Sequence, residues 1–292
     1  MDSSRGIPRP VGTAGWRGFA LTALGFLISL SSVTASVLVA PTVVILSDKD
    51  NTGRITIQNP TDKPKEISIY MSFGLPVSDS TGNVGIELKD SAVTDPHCAM
   101  SWVKAFPSKM ILAPNATQVI RLRATPPKGL ADGEYWARIV VKSQEGTTTI
   151  PVASSPDRIS TKLNMVMQTA IMLKYRTGNM ISKLEVTQRD VQVVDSVVQV
   201  TVSMANRGNV SYVGSLNCRL IDAENKVVAS DRFDLAVYYD LTRRFHFPIA
   251  GKTFSRPCKV EVSINTAGRT DLADAEIVSG NAIDFSLAVS QL

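Results

Sequence analysis

Residues 162–176 read KLNMVMQTAIMLKYR, and they are apolar on both parities. Leu163, Met165, Met167, Ile171, Leu173 and Tyr175 occupy one, and Val166, Ala170 and Met172 the other. Side chains of an extended chain alternate between faces, so a strand with one wet face is apolar on one parity only. Fully extended, the stretch covers about 50 Å against roughly 17 to 20 Å for an ordinary strand. A single sheet of a small domain does not cover that length, so what lies against the stretch decides how the chain is built.

Outward from it, the pattern is almost wholly period two. SVLVAPTVVIL, GRITIQNP, KEISIYMSF, QVIRLRA and GEYWARIVVK precede it, and KLEVTQRDVQVV, VVQVTVSMANRG, GSLNCRLID, NKVVAS, RRFHFPI and KVEVSIN follow. These runs are rich in β-branched residues and are bounded by Asn, Asp, Gly and Pro, with little helical spacing between them. Short strands at this density predict an all-β chain of two β-sandwiches, each of about 110 residues. The division is expected at the turn residues of YRTGN, Tyr175 to Asn179, giving domains over 36–176 and 177–292. A polar loop, QEGTTTIPVASSPDR, leads into the long strand.

Residues 1–35 differ from the rest. Arg5, Arg9 and Arg17 precede the apolar run FALTALGFLISL, and the small residues of SSVTA follow it. That order is that of a secretory signal peptide cleaved after Ala35. The run is about 12 residues long where a membrane span needs roughly 20, so no stable membrane insertion is expected. The whole chain has 292 residues, 44% hydrophobic and 20% charged, with a net charge of +5. Removing the leader's three arginines and one aspartate leaves a charge of +3. The remaining cations are scattered among acids, which gives nucleic-acid binding no support.

Chemistry-bearing motifs are scarce. The two histidines, His97 and His246, have no neighbour at metal-ligand spacing. His246, in RRFHFPI, is expected at a strand edge or against a tyrosine. No GxSxG elbow and no Gly-rich phosphate loop occurs, so neither an enzyme nor a cofactor is expected. Cys218 shares its parity with Leu216 and Leu220, and Cys258 shares its own with Val260, Val262 and Ile264. Both should point inward, and in an exported protein a bridge between them is expected, closing a loop of about 41 residues for about 4 kcal/mol. Two separate buried thiols are the alternative, and Cys98 has no partner in its own domain. Asn115 and Asn209 stand in N-x-S/T sequons. Turn chemistry suffices to explain the LAPN stretch at Asn115.

Several segments in order carry a resemblance: VLVAPTVVIL, RITIQNPTDKPKEISI, FPSKMILAPNATQVIRL, LADGEYWARI and MVMQTAIMLKYR. Together they resemble a PapD-like periplasmic pilus-assembly chaperone of the chaperone and usher pathway, over about 140 residues from Ser36 to the division. The GEYW form looks like the divergent, archaic branch. The resemblance implies two immunoglobulin-like domains in a boomerang. The long last strand of the first lends residues to a pilin-like subunit, which is then passed to an outer-membrane usher. One parity of that strand would pack in the chain's own core and the other would be covered by the client. The implied subunit-binding residues are Leu163, Met165, Met167 and Ile171. The family's basic anchors for the client carboxylate fall at Thr42 and Met172, which are not basic, so Arg138 is the candidate anchor and Lys174 the second. An interdomain charge cluster is implied at Glu134 and Arg176, with an acid of the second domain at Asp271 or Asp274. Free copies capping one another would protect the exposed strand. The competing expectation is a structural or adhesive two-domain protein holding a fixed partner.

Overall fold

The computed structural model describes residues 37–90, 93–145, 165–267, 269 and 271–290. The signal-peptide assignment, most of the polar loop before the long strand, and Leu163 lie outside the described residues. Strands dominate, and the described helical turns are two three-residue 3-10 turns, Met100–Trp102 and Asp274–Glu276.

In the first half, β1 (Leu38–Ala40), β3 (Thr52–Gln58), β9 (Thr117–Ala124) and β7 (Val103–Phe106) form one sheet in the order β1-β3-β9-β7. Against it lies the sheet β2-β11-β10-β4-β8, built from β2 (Val43–Ser47), β11 (Val166–Thr177), β10 (Gly133–Glu145), β4 (Lys65–Ser72) and β8 (Lys109–Leu112). The alternation of each strand supplies the core between them. Ile55, Ile57, Ile67, Ile120, Leu122, Ile139 and Leu173 are all buried there. Asn115, in the turn before β9, takes a left-handed conformation, φ 55, which Asn tolerates better than most residues.

The second half repeats the plan. β12 (Leu184–Val194), β13 (Val197–Asn206) and β16 (Asp240–Pro248) face the sheet β15-β14-β17-β18, made of β15 (Val227–Val237), β14 (Tyr212–Ile221), β17 (Cys258–Asn265) and β18 (Ile283–Val289). Its separate core holds Val198, Val200, Met204, Leu216, Leu220, Phe245 and Val260. The strand β18, IDFSLAV, is absent from the sequence-based strand set, as is a hairpin of β5 (Pro76–Ser78) and β6 (Val84–Ile86).

The expected Cys218–Cys258 bridge does not form, and all three cysteines are free. Both second-domain thiols are buried, as their parity requires. Register defeats the bridge: Cys218 stands opposite Val262, four residues along β17 from Cys258. That is about 13 Å of strand, whereas a disulfide needs Cα atoms within about 7 Å. Burial pushes the Cys218 thiol up to about 12, the behaviour of an inert core thiol.

Candidate functional site

β11 differs from its neighbours in how it is paired. Along its whole length it runs antiparallel to β10, from Gly133 opposite Thr177 to Gln144 opposite Val166. On its other side, β2 joins it in parallel only from Met172 to Arg176. Among the described residues, Val166 to Ile171 therefore presents one row of backbone N–H and C=O groups without a strand partner, over about 20 Å. At the start of this edge Met165 and Val166 are each 48% exposed, and Met167 is half-buried.

The apolarity of the stretch divides along its length rather than between its faces. Ile171, Leu173 and Tyr175 lie in the core of the first sandwich. Met165 and Met167 share their parity but precede the point where β2 joins the sheet. Ile171 is thus a core residue and not a subunit-binding one. At Met172 the opposite parity is not left for a client either: Met172 packs with Phe73 and Trp136 of the first half and with Tyr238 of the second. The second sandwich itself covers that face, which a count of parities within one domain does not foresee.

Beside Met172 the same face carries a buried charge cluster. Glu134 is wholly buried. Its Oε2 accepts from Arg176 Nε at 2.8 Å, and its Oε1 accepts from Trp136 Nε1 at 2.7 Å and from Ser211 Oγ at 2.5 Å. Lys174 Nζ lies 3.3 Å from Oε1 and donates to Ser211 Oγ at 2.7 Å. Burial alone would push the Glu134 carboxyl up, but Lys174, Arg176, Ser211 and Trp136 outweigh it and hold it below its ordinary value. Burial drives the Lys174 ammonium down, with Glu134 opposing.

The structure changes two assignments here. Lys174 is engaged inside this cluster, so it is not a free anchor. Asp271 is not in it, because Arg269 holds it through Nε to Oδ1 and Nη2 to Oδ2, both at 2.6 Å. The second half contributes Ser211 and the carbonyls of Ala275 and Glu276, which accept from Arg176 Nη1 and Nη2 at 2.8 Å. The nearby acid is Glu276, two residues beyond Asp274, whose carboxylate feels both Lys174 and Arg176.

Arg138 lies further along β10, opposite Met172 on one side and Ser72 on the other. It is buried, its Nε donates to Gly74 O at 2.9 Å, and its two terminal amino groups have no hydrogen-bond partner among the described residues. Burial lowers its pKa. A guanidinium held by one edge with its fork unpaired is ready to take a carboxylate. Thr42 is exposed and Met172 is in the apolar seam cluster, so neither offers a cation.

Several seam residues carried no signal as isolated positions. Asn209 of the second sequon holds three segments together. Its Nδ2 donates to Asp132 O and Asn179 O, and its Oδ1 accepts from Ile181 N. The histidine that meets a tyrosine is His97, with Nδ1 2.9 Å from Tyr239 OH. The Tyr239 hydroxyl donates its proton to Asp95 Oδ1 at 2.9 Å, so His97 Nδ1 is the donor toward it. His246 is exposed on the edge strand β16.

The molecule is a two-domain β-sandwich protein with an open-edged strand and a buried ionic seam. No protein-family model and no curated protein sequence matches the chain. Among solved structures it is similar to the YadV chaperone, at 15% identity and a TM-score of 0.44, covering 87% of this chain and 99% of that one. It is similar also to a chain of the CsuC–CsuE chaperone and tip adhesion subunit complex from archaic Csu pili of Acinetobacter baumannii, at 14% and 0.44, covering 86% and 98%. The class 5 fimbriae chaperone CfaA gives 14% and 0.41, covering 86% and 98%. Likeness at this level assigns no function to the chain.

Proposed function

We propose that this chain is a non-enzymatic, PapD-like chaperone of the periplasm. In this reading it binds pilin-like subunits by adding its open strand edge to them, and it delivers them to an outer-membrane usher. The observation that carries the reading is the edge of β11 from Val166 to Ile171, unpartnered on one side among the described residues and continuous with exposed Met165 and Val166. A client lacking a strand would gain a row of main-chain hydrogen bonds there, with pockets for alternate side chains. Burying Met165 and Met167 in such pockets contributes about 3 to 6 kcal/mol before the costs of association. Unbranched thioethers adapt to pockets of different shape, which suits several clients. Leu163 extends the same parity by one more position. Arg138 would take the client's terminal carboxylate with its free fork. When no client is bound, two copies would cap one another along this edge.

The test is the double substitution Met165→Asp/Met167→Asp in the mature protein. Met165 is exposed and Met167 half-buried, so the free variant should lose no more than about 1 kcal/mol, the centre of the range for single substitutions, and melt close to the parent. Co-purification of periplasmic subunits should be lost, because two carboxylates would enter apolar pockets without partners. A variant that melts well below the parent would show that these side chains serve the chain's own core, and would overturn the reading. Exchange separates a chaperone from a fixed structural partner: bound subunit should be displaced by a competing subunit strand, and a complex that never exchanges would favour the structural alternative.

A further inference from the structure

The outward face of the sheet β1-β3-β9-β7 has a composition unlike the rest of the surface. Its outward positions are Leu38 and Ala40 on β1, then Thr52, Arg54, Thr56 and Gln58 on β3. They continue with Thr117, Val119, Arg121 and Arg123 on β9, and Lys104 and Phe106 on β7. Four of these are cations and none is an acid, in a chain whose cations are otherwise scattered among acids. Register sets like charges directly opposite one another, Arg54 against Arg121 and Lys104 against Arg123. Such cross-strand pairs are unfavourable in the free protein. None of the four has an ion-pair partner among the described residues. The acid in the shallow groove that the three arginines line is Asp50, whose Oδ1 is taken by the backbone N–H and hydroxyl of Thr52. Phe106 continues the Arg54–Arg121 row and is 60% exposed.

We infer that this face docks an acidic polypeptide surface, at a site separate from the strand edge of β11. Three of the four cations are arginines, whose planar forks take carboxylates in bidentate fashion, and two guanidiniums side by side bracket one carboxylate. Arginine and aromatic side chains are enriched at protein interfaces, where lysine is depleted. A bilayer surface would be met instead by snorkelling lysines around several inserted apolar side chains, and only Phe106 stands among these cations. Leu38, Ala40 and Val119 supply an apolar flank at the far end of the same face. The inference does not depend on donor-strand binding, since no residue of β11 takes part.

The probe is the peptide (Glu-Glu-Pro)4, in which the prolines remove N–H donors needed for adding to a sheet edge. Its Gln counterpart and vesicles containing phosphatidylglycerol serve as the other arms. The mature protein should bind the Glu peptide about tenfold more tightly than the Gln peptide, with affinity falling as salt rises from about 50 to about 200 mM. Arg54→Glu replaces the repulsive pair with an attractive one opposite Arg121, so it should melt no lower than the parent while losing the peptide. Arg189→Gln, at an exposed cation on β12 of the second sandwich, should leave peptide binding unchanged. Equal binding of the two peptides, or retention by Arg54→Glu, would overturn the inference. Preference for the vesicles over the Glu peptide would overturn it in favour of a membrane.

Discussion

Glu134 is the residue on which the junction of the two sandwiches turns. Its carboxylate answers two buried cations and accepts from a hydroxyl of the other half. Glu134→Gln leaves Lys174 and Arg176 without their countercharge in a dry seam, and removing one partner of such a group typically costs about 3 to 5 kcal/mol. Equilibrium unfolding in urea should show a loss of that size. The pH dependence has a defined sign. A carboxyl whose folded pKa lies below its unfolded value binds fewer protons when folded. Its stabilisation is complete above the ordinary value of 4.5 and disappears as pH falls through the lower folded value. Urea midpoints measured from neutral pH down through the acid range should therefore drop below about pH 4.5 in the parent. In Glu134→Gln this part of the acid limb should be missing, and an identical limb in both proteins would remove Glu134 from the account. For Arg138, substitution by Ala should abolish subunit recovery with the fold retained, because a buried charge-assisted contact is lost. Unchanged recovery would give the anchoring role to backbone amides.

Among the elements, β11 is one strand with two environments. From Met172 onward it is a central strand held on both sides, and before that it is an edge. β2 has only five residues, and its length sets where the change falls. Long apolar edges invite aggregation, and a partner strand along this one would remove that hazard. β14 and β17 decide the fate of the cysteines in the same way, through register. Thiol titration of the denatured, unreduced protein should find three reactive groups, and reductant should leave the melting curve unchanged. One reactive thiol instead of three would contradict the register of Cys218 against Val262.

For the whole molecule, two cores fold around separate residue sets, and a third small cluster of Phe73, Trp136, Met172 and Tyr238 joins them. Trp136 and Tyr238 meet edge to face at 4.8 Å. Tyr238→Ala should empty the centre of this joint at a cost of about 3 kcal/mol while sparing both cores. Small-angle scattering should then show a broader distribution of distances with the strand content preserved. A profile identical to the parent's would mean that the ionic cluster and the polar contacts of Asn209 and Tyr239 hold the halves together without this aromatic joint. The all-β class, the strands β1 to β4 and β9 to β11 of the first half and the inward facing of Cys218 and Cys258 were legible in the residue order, because period-two alternation is a local consequence of the pleat. Pairing is not local. That Cys218 meets Val262 and not Cys258, that β2 stops short of Ile171, that Ser211 approaches Glu134, that Glu276 rather than Asp271 approaches Arg176, and that four cations converge on one sheet face all depend on which strands lie side by side. Alternation along one strand carries no information about register with another, and only the packed tertiary structure decides it.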